Sequence, residues 1–182
     1  MGLVTQSYIS SLTRKPPGVI AHRSLSRQAF SLLQARTFPI YFLLCTTLSA
    51  ILLALWSTAN IEVFKHDEGS FNFKSIFKLG DQVVVQCWVL LLVVVVSFVN
   101  WFYIGPNTNR LAMQRQRQER AEAKPYYDPG VSQAMRQLNR EFGYWHGISS
   151  LTNLIGILAT IYHGLWFNVL GLRQRPIMAE IF

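Results

Sequence analysis

The sequence predicts an all-α polytopic membrane protein: three transmembrane helices with a helical cytosolic hairpin between the second and the third. Three observations carry that expectation. Segments 37–61, 82–109 and 142–172 contain no Asp, Glu, Lys or Arg. A helix rises 1.5 Å per residue and the hydrocarbon core is about 30 Å thick, so about 20 apolar residues suffice to cross it. The 17 basic residues fall unevenly on the two sides of these stretches. Finally, segment 107–123 is rich in Gln, Arg, Ala and Glu, good helix formers that continue the second stretch beyond the membrane.

The first span is expected at about 38–58, with Pro39 in the first helical turn, where its missing N–H costs nothing. Trp56 then falls near the far interface. The loop 60–81 mixes Lys65, Lys74 and Lys78 with Glu62, Asp67, Glu68 and Asp81. Phe64, Phe71, Phe73, Ile76 and Phe77 suit it to lie partly along the bilayer surface. The second span, about 83–104, is β-branched, yet a lone strand cannot satisfy its backbone in lipid, so length overrides propensity. Trp101 and Tyr103 suit the interfacial belt. Lys124-Pro125 breaks the following helix, and Asp128 with Pro129 is positioned to start the next one. The third span runs over about 147–172. Around this membrane domain, 38–172, lie a basic arm, 1–37, and a short tail, 173–182.

Twelve basic residues lie in the arm and the 107–140 loop, against five in the first loop and tail. By the positive-inside rule the amino terminus and the basic loop face the cytosol. The arm holds no acidic residue before Glu62, as in a mitochondrial transit peptide, although any cytosolic flank of a first span is basic. An integral protein of an endomembrane or the plasma membrane is the first reading, a mitochondrial membrane the alternative. The net charge of +8 is explained by these flanks and implies no nucleic acid. The lipid bilayer is the expected partner, with anionic headgroups, other membrane proteins or a second copy as further contacts.

Along the third span Ser149, Asn153, Gly156, Thr160 and His163 recur at steps of four, three, four and three, on one face that His146 extends. Helices associate in membranes through small residues and interhelical hydrogen bonds, so this face is a candidate polar seam. Asn100, with Gln82, Gln86, Val93 and Ser97, offers partners on the second span, and Cys45, Thr46, Ser49 and Ala50 on the first. Arg110, Arg115, Arg117 and Arg120 form the candidate lipid or partner contact, diluted by Glu119 and Glu122.

Catalytic, metal and cofactor sites are not expected. His146 and His163 stand 17 residues apart, about 25 Å along one helix, so they cannot share a centre. His22 and His66 are expected on opposite sides of the membrane. Ser149 and Ser150 neighbour His146, but no acid within the spans orients it. Cys45 and Cys87 have no metal-like spacing. The absence of charge within the spans also argues against ion-coupled transport. The expected function is therefore a non-enzymatic interaction or trafficking component. The alternative is an oligomeric small-solute or metal-drug permeation component using the Ser149, Asn153, His163 face.

Specific strings resemble a known family. They are His22-Arg23-Ser24-Leu25 leading through Gln34 to Phe38-Pro39-Ile40-Tyr41-Phe42; Val99-Asn100-Trp101 to Pro106-Asn107 with Met113; and Phe142-Gly143-Tyr144-Trp145-His146-Gly147-Ile148-Ser149-Ser150-Leu151-Thr152-Asn153-Leu154. Over about 21–170 the chain resembles the transmembrane protein 205-like family, most nearly its fungal members. The resemblance implies a small helical membrane protein, usually of four spans, placed at endomembranes or the cell surface. Here the family's first span is missing, which leaves a three-span variant and an altered amino terminus as the two readings. His146, Ser149, Ser150 and Asn153 carry over as signature residues, with no role implied.

Overall fold

A computed structural model describes residues 27–65 and 69–171. The arm before Arg27, the tail after Gly171, His22 and His66 lie outside the described residues. Helix α1 runs Arg27–Ala59, α2 Gln82–Val99, α3 Gly105–Glu122 and α4 Gln133–Trp166. A π-helical turn, Asn100–Ile104, joins α2 to α3 without a break, and a second, Phe167–Gly171, extends α4. Three helices are long and apolar enough to cross a membrane: Ala29–Ala59, the 41-residue α2–α3 rod, and Gln133–Val169. The rod is about 60 Å long, twice what the hydrocarbon requires. Its apolar first half is the span. Its polar second half, α3, pairs with the start of α4 as the expected helical hairpin.

Helix α2 is central. Of its most apolar window 28% is buried, against 11% for each flanking span. Both α1 and α4 pack on α2, while making little backbone contact with each other. Gly156 makes the α2–α4 approach possible, since a Cβ there would stand 3.2 Å from Val96 Cγ2. At the end away from the hairpin, Trp56 is buried against neighbouring helices. It donates to the Val83 carbonyl at 3.2 Å and stands edge-on to Trp166 at 5.7 Å.

The connecting loop folds back through two short 3-10 turns, Ile61–Phe64 and Phe73–Phe77. Phe64 is buried, whereas Phe71, Phe73 and Phe77 are exposed. Trp88 Nε1 donates to the Ile76 carbonyl at 2.9 Å, and Asp81 caps α2 by accepting from Val83 N at 2.8 Å.

Two helix starts differ from the expectation. Pro39 lies inside α1, twelve residues past its first residue, because Ala, Gln, Leu and Arg upstream propagate the helix. The proline cannot donate to the Ala35 carbonyl, and Asn109 of α3 supplies the missing donor from its Nδ2 at 3.2 Å. Helix α4 begins at Gln133, not at Pro129. Asp128 turns its carboxylate to Gly130 N at 2.7 Å, and Ser132 is the cap, accepting from Met135 N at 3.1 Å.

The Pro39–Asn109 relation makes a quantitative expectation. Asn109→Leu orphans the Ala35 carbonyl and should cost about 1–2 kcal/mol. In a Pro39→Ala background the restored backbone N–H takes that carbonyl, so the same change should cost almost nothing. Thermal unfolding of the four proteins in detergent measures the coupling; equal losses in both backgrounds would refute it.

Candidate functional site

The polar residues of the spans gather into three layers. At the hairpin end Asn109 ties α3 to α1, as above. Nine residues deeper along the rod, Asn100 is completely buried within the π-helical turn. Its Oδ1 accepts from Ser149 Oγ at 2.8 Å, and its Nδ2 donates to Thr152 Oγ1 at 2.6 Å. Next to this knot, Tyr41 of α1 donates its hydroxyl to Asn153 Oδ1 at 3.1 Å. The knot and this bond together link all three spans. At the far end His163 Nδ1 and Gln86 Oε1 are 2.8 Å apart, with Trp56 edge-on to the imidazole at 5.2 Å. Both residues are buried, and Gln86 Nε2 has no hydrogen-bond partner among the described residues.

The sequence-derived seam is thus divided. Ser149 and Asn100 meet directly, whereas Asn153 reaches α1 instead. Gly156 and His163 are buried against α2. Thr160 is exposed, its hydroxyl returned to the Gly156 carbonyl, because α1 and α4 stand apart at its level. His146 is exposed and stacks on Phe142, with ring centroids 5.4 Å apart. Thr46 and Ser49 bond carbonyls of their own helix rather than a neighbour, the usual self-satisfaction of hydroxyls in helices. Tyr41 and Thr152 are the partners that sequence reasoning missed. Thr152, three residues after Ser149, shares its helix face, and that spacing was the available signal.

In the hairpin, Arg115 differs from its neighbours. Its guanidinium lies 4.0 Å from the Tyr126 ring centroid and 4.3 Å from that of Phe142, which packs it between the helices rather than presenting it outward. Burial lowers its pKa from the ordinary arginine value, against an opposing influence of Tyr126. Arg110, Arg117 and Arg120 are exposed. The acidic residues close the turn. Glu119 Oε1 accepts from Tyr126 N at 2.7 Å. Glu122 accepts from the Ser132 hydroxyl, from Gln118 Nε2 at 2.8 Å and from Ser132 N at 3.1 Å. These bonds, the hydroxyl's first, hold the Glu122 carboxyl below the usual glutamate range.

Because α1 and α4 diverge, a cleft runs along one side of the bundle, floored by the rod. Its deep part is an apolar groove of about 380 Å³, lined by Leu48, Leu52, Leu90, Val93 and Ile157. Tyr41, Asn100 and Asn153 border both the groove and a middle chamber of about 180 Å³, where Gln34, Asn109, His146 and Ser150 face the space. Ser31, Ala112 and Phe142 border both that chamber and a mouth of about 560 Å³ carrying Arg115, Arg120 and Lys124.

Comparison with known proteins gives one result. The model of a domain of unknown function, DUF4149, matches residues 2–117, which include α1, α2 and most of α3. No curated protein and no solved structure matches the chain.

Proposed function

The chain belongs to the DUF4149 family, and from that premise and the bundle geometry we propose a non-enzymatic integral membrane protein acting as an interaction or trafficking component. Its amino terminus and hairpin face the cytosol, in an endomembrane or the plasma membrane. The observation that supports this reading is the pairing of the seam. Asn100 bonds Ser149 and Thr152, and Tyr41 bonds Asn153, so these groups join the spans to one another. The exposed Arg110, Arg117 and Arg120 then form the outward surface for acidic partners or leaflet charge. The likeness of the 142–154 string to the transmembrane protein 205-like family supports the same placement.

Flux into proteoliposomes separates this from oligomeric permeation. The purified full chain should give no protein-dependent solute flux, and cell-surface delivery of a tagged client should fall with Arg110→Gln/Arg117→Gln. Solute flux abolished by Asn153→Leu would instead establish permeation and end the proposal. Glycosylation tags should be modified in loop 60–81 and not in loop 107–140; the reverse pattern overturns the orientation.

A further inference from the structure

We propose that the cleft between α1 and α4 is a binding site for a single anionic phospholipid, with its phosphate at the cationic mouth and one acyl chain in the groove. This deepens the membrane-interaction reading above and names the ligand class. The cleft is graded in the order in which such a molecule is built. The groove is apolar and opens sideways toward the bilayer, because α1 and α4 make little backbone contact. Its α1 wall runs from Tyr41 to Leu52, about 16 Å at 1.5 Å per residue. Half of a 30 Å hydrocarbon core is about 15 Å, so the groove accommodates the depth of one leaflet.

The chamber above it offers hydrogen-bonding groups suited to glycerol and ester oxygens, Gln34, Asn109 and Ser150 with His146. At the mouth the exposed Arg120 and Lys124, with Arg115 packed between the Tyr126 and Phe142 rings, outnumber one carboxylate, Glu119, whose Oε1 is already engaged by Tyr126 N; Lys124 Nζ also donates to the Gly130 carbonyl at 3.1 Å. An excess of cations suits a phosphate anion; it disfavours a headgroup that brings its own ammonium.

The test is native mass spectrometry of the full chain released from nanodiscs holding equal amounts of phosphatidic acid and phosphatidylcholine with identical acyl chains. Retention of phosphatidic acid should exceed that of phosphatidylcholine at least tenfold. Arg120→Gln and Lys124→Gln, both at exposed positions, should each reduce it about fivefold. Thr160→Phe fills the groove from an exposed position and should remove bound lipid of both kinds. Melting curves of each variant confirm that the fold persists. Equal retention of the two lipids overturns the proposal. So does displacement of the bound phosphatidic acid by soluble glycerol 3-phosphate combined with indifference to Thr160→Phe, because the ligand is then a free phosphate. The interaction reading is judged separately, on flux and on client delivery after Arg110→Gln/Arg117→Gln.

Discussion

Gly105→Ala is expected to be among the most damaging single-methyl additions in the chain, at about 2–3 kcal/mol or more. The position closes the π-helical turn by donating its N–H to the Asn100 carbonyl. A Cβ there would stand 2.6 Å from that same oxygen, a main-chain atom that cannot swing aside as a side-chain tip can. Relief requires the turn to revert to α-helix, and deleting its extra residue rotates everything beyond by about 100°. Arg115 would then leave the Tyr126 and Phe142 rings, and the α3–α4 hairpin would lose its packing. Thermal unfolding in detergent should show a clear drop for Gly105→Ala and none for Gly143→Ala, where a Cβ meets nothing within 4 Å. Equal melting temperatures for the two variants would refute the steric account.

Asn100→Leu is expected to cost about 2 kcal/mol. It removes both amide links to α4, the bonds to Ser149 and Thr152. Interhelical hydrogen bonds in membranes average about 0.6 kcal/mol and reach about 1.7. Part of the loss is offset, since the Thr152 hydroxyl already reaches the Ile148 carbonyl of its own helix at 2.9 Å and stays satisfied. The decisive comparison is non-additivity. In a Ser149→Ala/Thr152→Val background the Asn100→Leu penalty should shrink by half or more. A full penalty in both backgrounds would mean that the knot contributes nothing and that only shape matters.

The spans were legible because hydration of charge dominates every other energy in lipid, and three charge-free segments mark them without reference to packing. The hairpin was legible for the opposite reason: α3 has helix formers but no apolar stripe long enough to stay in the bilayer. What escaped was set by neighbours. Pro39 reads as a helix start in isolation, and its interior position becomes tolerable only when Asn109, 70 residues later, reaches the freed carbonyl. Asp128 and Ser132 are both good caps; the bonds from Ser132 to Glu122 decide between them. The seam on α4 was visible as a period, but a period does not say whether a neighbour is in contact at each level, and Thr160 faces an open groove instead.

The unbroken rod from Gln82 to Glu122 has a mechanical consequence. Its outer arm, α3, has 18 residues and is therefore about 27 Å long. A change of about 5° in axis direction at the 100–104 turn moves the tip of that arm by about 2 Å, enough to part a ring stack. The inner segment, α2, is also 18 residues long, so a lean of that segment within the lipid is carried undiminished to the far end of α3, as across a balanced seesaw.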